Sequence, residues 1–127
     1  MELVRSILEA WAKGDFSSAE WADPDIQVVA ADGPAPEVWR GVGEMARGWR
    51  EYLSEFDDFR AEAEEYRRLD DERVLVLLRN SGRGKASGAE LGEMRSRGAN
   101  VFHVRNGKVV KLFLYWDRDK ALADLGL

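Results

Sequence analysis

Leu3, Val4, Ile7, Leu8 and Trp11 recur at spacings of three and four, with Glu2, Arg5 and Glu9 between them, and Gly14 ends the run. This pattern predicts a first amphipathic helix. Phe16 to Trp21 reads as a second, short helix with Asp15 as its N-cap, broken at Ala22-Asp23-Pro24. "IQVVAAD" is a short strand, and "GPAPEVWRG" after it is a loop dense in turn residues. From Gly41 the helical period returns. Val42, Met45, Ala46, Trp49, Leu53 and Phe56 line one face of "GVGEMARGWREYLSEF".

Four strand-like runs follow. "FRAEAEEYRRL" alternates loosely, and its charges read as a solvated face with weak ion pairs. "RVLVLLR" is continuously apolar, as in a central strand covered on both faces. "ELGEMRSRGANVFHVR" is long, with a bulge expected near Gly98. "KVVKLFLYW" closes the sheet, with Val110, Leu112, Leu114 and Trp116 on one apolar face. Between the last two runs "RNGK" signals a two-residue hairpin, since Asn-Gly tolerates the positive φ angles of a type I′ turn. "DRDKALADLGL" reads as a terminal helix capped by Asp117 or Asp119. The expected fold is α+β. A curved, mostly antiparallel sheet wraps around the N-terminal helices to form a cone with an internal pocket.

Composition narrows the chemistry. At 127 residues a single domain, 1–127, is expected. A net charge of -5 argues against nucleic acid and anionic membrane surfaces as partners. There is no cysteine and only one histidine, so no metal site and no cofactor is expected. Charges interrupt the first apolar stretch, which reads as neither signal peptide nor membrane span, and a cytoplasmic location is expected. "GRGKASG" has neither P-loop spacing nor a dinucleotide fingerprint and reads as a hairpin tip.

The element order α-α-β-α-β-β-β-β, the tail "VRNGKVVKLFLYWDRDKALADLGL" and the stretch "GRGKASGAEL" together resemble the SnoaL-like branch of the nuclear transport factor 2-like superfamily. The resemblance covers nearly the whole chain. It implies a cone-shaped, ketosteroid isomerase-like domain, a homodimer through the outer sheet face, and functions that range from isomerase and cyclase to non-catalytic binder. Against the ketosteroid isomerase template, Asp32 stands nine positions before Gly41, as the general base does, and Trp116 matches a pocket aromatic. The oxyanion donors of that template are replaced by Ile7 or Leu8 and by Val101. Against the polyketide cyclases, His103 and Asp117 match the acid–base pair, while an accompanying glutamine is Val101.

Each candidate has a second reading. Strand alternation alone turns His103 outward beside Arg105, whereas the cyclase resemblance turns it inward. Asp117 is either a helix cap or a pocket carboxylate, and Asp32 either holds a turn or acts as a base. Among the five tryptophans, Trp49 and Trp116, with Phe56, are expected to wall the pocket, and Trp39 to lie in the loop over its mouth. The expected ligand is a small apolar or aromatic molecule. Any chemistry would be cofactor-free isomerisation or aldol cyclisation beside a carbonyl, with Asp32, His103 and Asp117 as acid–base groups. The alternative is a non-catalytic ligand-binding or dimeric interaction module.

Overall fold

The computed structural model describes residues 2–32, 37–84 and 97–127. Its elements are α1 (Glu2–Ala12), β1 (Ala22–Ala30), β2 (Glu37–Arg40), α2 (Gly41–Leu53), β3 (Phe56–Arg68), β4 (Arg73–Gly84), β5 (Arg97–Arg105), β6 (Lys108–Tyr115) and α3 (Arg118–Asp124). The strands form one sheet in the order β2-β1-β6-β5-β4-β3. Every pair is antiparallel except β1 with β6, which runs parallel. The α+β class is therefore as expected from the sequence.

The apolar run of β4 explains how the layers are arranged. Val74, Val76 and Leu78 face inward and join α1, α2, Phe102, Val109 and Leu112 in the main core. Leu75 and Leu77 face outward, where they meet Ala99, Val101 and Tyr115. α3 lies on that outer side and buries Ala121 there, with Leu122 and Leu125 packed alongside. So the helices are not confined to one face of the sheet. α1 does what its pattern predicts, burying Val4, Ile7, Leu8 and Trp11.

Several elements depart from the sequence reading. Phe16 to Trp21 is not a helix. The Asp15 carboxylate instead accepts from the Ser17 amide at 3.0 Å and from the Ser17 hydroxyl at 2.6 Å. A run of this length cannot repay helix nucleation, and the local side-chain bonds win. Trp39 is not in a loop. Val38 and Trp39 pair with Val29 and Val28, so "EVWR" is an edge strand. α2 stops at Leu53, and Phe56 opens β3. No bulge interrupts the pairing of β4 with β5 at Gly98, which sits opposite Leu78 in regular register. The irregularity between β5 and β6 falls between His103 and Val104. It leaves Val110 as the extra residue, so Val109, rather than Val110, shares the inner face with Leu112. The "GRGKASGAEL" hairpin tip and the start of "ELGEMRSRGANVFHVR" extend outside the described residues.

The Asn106-Gly107 turn has φ of 54° and 75°, as a type I′ hairpin requires. A Cβ on Gly107 would meet nothing within 4 Å. The cost of Gly107→Val is therefore backbone strain alone, expected at about 1–3 kcal/mol. An unchanged thermal midpoint would contradict that cause.

Candidate functional site

Between α1, α2 and the inner sheet face lies a cavity of about 340 Å³. Its wall is built from rings in mutual contact. Trp11 meets Trp49 at 5.3 Å, Trp49 meets Trp39 at 5.9 Å and Tyr52 at 5.8 Å, and Tyr52 stacks on Trp116 at 5.4 Å. Phe56 and Phe59 also lie against Trp116. Helical spacing accounts for two of these rings, because Trp49 and Tyr52 lie three apart on α2. β6 supplies Leu114, and Trp116 follows directly after it.

Two buried amides, Asn80 on β4 and Asn100 on β5, also line the cavity. Asn100 is only 3% exposed, and its side chain makes no hydrogen bond among the described residues. Among the described residues, four charged ones line the same space, and all are acids: Asp32, Glu37, Glu51 and Glu55. The three glutamates are exposed and so mark the rim.

The four ring residues expected at the pocket, Trp39, Trp49, Phe56 and Trp116, all line this cavity. Trp39 is fixed there on both sides. Its Nε1 donates to Glu37 Oε2 at 3.0 Å, and its ring lies flat over Gly48, where a Cβ would come within 2.2 Å of it.

The three acid–base candidates are not brought together. Asp32 borders the cavity, and its two carboxylate oxygens accept from the amides of Trp116 and Asp117, each at 2.8 Å. It clasps the end of β1 to the end of β6. Asp117 caps α3, accepting from the Asp119 amide at 2.9 Å. His103 pairs with Arg73 and Lys111 and sits 5.6 Å from the Phe113 ring, on the face of the sheet away from the cavity. The inward arrangement of His103 beside Asp117 is thus corrected. Asn100, Phe102 and Val104 are the inward residues of β5, and alternation puts His103 on the other side.

Burial, with Arg73 and Lys111 adding to it, lowers the His103 pKa below 6.5. The unfolded chain therefore binds this proton first. The stability contributed by the neutral ring is complete above about 6.5 and declines as pH falls through the window beneath it. NMR titration of the single imidazole should show the lowered midpoint, moving up in Lys111→Met. A shift in Asp117→Asn would instead restore the dyad.

Asn100 was within reach of the sequence, as a polar residue sharing a strand face with Phe102 and Val104. Tyr52 extends the stripe of Trp49. The rim glutamates carried no signal, because exposed acids occur everywhere. Gly48 could not be seen either, since its role depends on a ring from another strand.

A curved six-stranded sheet closed by helices around an aromatic-walled cavity is the ketosteroid isomerase-like α+β cone. Within that class, residues 4–112 match the SnoaL-like domain, and the chain belongs to this family. Solved structures agree on the fold. A candidate polyketide cyclase from Sinorhizobium meliloti is 23% identical with a TM-score of 0.66, over 90% of this chain and 94% of that one. A nuclear transport factor 2-like protein of unknown function from Burkholderia pseudomallei is 20% identical with a TM-score of 0.78, over 97% and 94%. A protein with a ketosteroid isomerase-like fold from Catenulispora acidiphila, in complex with trimethylamine, is 13% identical with a TM-score of 0.71, over 99% and 93%. No curated protein matches the chain. Among the described residues, no helix is long and apolar enough to cross a membrane.

Proposed function

We propose that this SnoaL-like domain binds a small apolar or aromatic molecule in its cone. The observation that carries the reading is a continuous wall of rings facing a buried amide, Asn100, with no protein partner among the described residues. A ligand bearing one polar group and a flat apolar body would satisfy both the amide and the rings. The volume suits a molecule at the small end of the usual range. Nile red, a neutral dye, should quench tryptophan fluorescence, and Trp116→Ala should weaken its binding about tenfold. Undiminished dye binding in that variant would remove Trp116 from the site.

Proton transfer beside a carbonyl is the second reading. It is favoured by one observation: Asp32 and Asn100 border the same cavity, a carboxylate base and an amide donor for a developing oxyanion. It requires deuterium exchange at the α-carbon of a bound aryl ketone, abolished in Asp32→Asn. Binding without exchange leaves the non-catalytic module. Neither reading needs a metal, a cofactor or a secreted setting, and the cytoplasm is the proposed location.

A homodimer through the outer sheet face is also proposed. α3 covers the Ala99–Tyr115 end of that face, while Val38 remains 45% exposed and Phe113 half-buried. Sedimentation equilibrium at micromolar concentration distinguishes dimer from monomer.

A further inference from the structure

Asn100 specifies the polar end of a ligand more closely than its presence alone suggests. It is 3% exposed, lines the cavity and makes no side-chain hydrogen bond among the described residues. The sheet register gives the reason. Its cross-strand neighbours are Val76 on β4 and Leu114 on β6, and Gly98 and Phe102 flank it on the same face of its own strand. None of these four carries a hydrogen-bonding side chain. Among the described residues, Arg118 Nε is the one side-chain polar atom shut away without a partner. The Asn100 amide is therefore not sealed in. Its carbonyl, an acceptor, and its NH2, a donor, both open onto the cavity.

Few groups meet both halves of a carboxamide at once. A ketone or ether accepts from the NH2 and leaves the carbonyl oxygen unmet. A carboxylate does the same and sets its charge against that oxygen. A trans amide points its N–H and C=O to opposite sides. A cis amide, as in a lactam ring, points both the same way and joins a carboxamide through two parallel hydrogen bonds. The walls add a demand on shape. Leu114 stands beside Asn100, and Tyr52 lies on Trp116 with 24° between the ring planes, so a flat body packs here on its face. About 340 Å³ holds a molecule of two fused rings. Gly98 keeps the region beside Asn100 polar: Asn80 Nδ2 lies 2.9 Å from where a Cβ on that glycine would stand, and Asn80 lines the cavity too.

Resting on the proposed binding of a small apolar or aromatic molecule, we infer that the ligand of this cavity is a planar lactam: a flat ring system with N–H and C=O side by side on one edge. The lactam N–H donates to Asn100 Oδ1, and its C=O accepts from Asn100 Nδ2. The ring faces lie against the aromatic wall. Asn100 is thus the residue that sets specificity, and the rings supply the rest of the binding.

Two probes of one shape test this. 2-Quinolone and coumarin differ in a single ring position, N–H in the first and oxygen in the second. Titrated against the full chain by calorimetry, 2-quinolone is expected to bind about tenfold more tightly, the worth of one added hydrogen bond. In Asn100→Leu the two should bind alike. In the unsubstituted chain, the Asn100 side-chain NH2 resonances should move on addition of 2-quinolone, a readout that does not depend on how the variant folds. Equal binding of the two probes to the unsubstituted chain would overturn the lactam assignment and leave the apolar-cavity reading standing. A preference that survives in Asn100→Leu, or an unmoved Asn100 NH2 signal, would also overturn it. Binding of Nile red without either probe would overturn the lactam alone, and failure of all three to bind would overturn both.

Discussion

Trp11→Ala is expected to remove about 3–5 kcal/mol of folding free energy, a large share of the roughly 5–15 kcal/mol that holds a domain together. Trp11 is 3% exposed and touches four rings, Phe16, Trp21, Trp49 and Phe102, at centroid distances of 5.3 to 6.1 Å. Those rings come from the segment after α1, from the edge of β1, from α2 and from β5. One side chain therefore ties both inner helices to the sheet. The surrounding backbone belongs to four separate elements, so it cannot collapse into the space left behind, and the cavity penalty adds to the lost burial. A urea titration should show the midpoint falling at unchanged slope. A loss below about 1 kcal/mol would mean that α1 is not anchored through this ring.

Gly98→Ala carries the next largest effect, about 1–3 kcal/mol of destabilisation. A methyl group in a strand ordinarily helps, because glycine loses the most conformational freedom on folding. Here the added carbon would stand 2.7 Å from the Tyr115 carbonyl oxygen and 2.9 Å from Asn80 Nδ2. The first of these is backbone in the neighbouring strand and cannot retreat without disturbing the pairing of Ala99 with Tyr115. The second would displace a buried amide that lines the cavity. Gly43→Ala is the matched control, because a Cβ there meets nothing and the helix gains up to about 1 kcal/mol. Loss in the first and gain in the second is the expected pair. Equal behaviour of the two would show that close strand approach is not what keeps Gly98.

The same glycine shows where sequence reasoning stops. A lone glycine in a strand pattern signals either a bulge or a close approach, and only the neighbouring strand decides between them. The major elements were legible because their periods are strong: α1, the long helix, β4 and the Asn-Gly hairpin. The short helix after Asp15 and the edge strand at Trp39 were misread, since both are short and flanked by turn residues. His103 shows the better side of the method. Strand alternation alone turned it outward, and the structure agrees, whereas the inward orientation came from resemblance. The cavity rings could be listed from helical spacing and strand alternation. The amide at its buried end and the acids at its rim acquire meaning only once two helices and six strands enclose one space.

The sheet order has a consequence for how the molecule assembles and opens. β3, β4, β5 and β6 are neighbours both in the chain and in the sheet, so each pairs with a strand made just before it. β1 instead pairs with β6, Val28 beside Leu112, across most of the chain length. Contacts of that separation require a long loop to close before they repay its entropy, and they form late. The β1–β2 ribbon is thus the last part to dock, held by a parallel ladder, by α2, by the buried side chains of Ile26 and Val28 and by the Asp32 clasp. Trp39 and Glu37 ride on that ribbon. The wall of the cavity is therefore finished only when this late pairing forms, after the four-strand meander is in place.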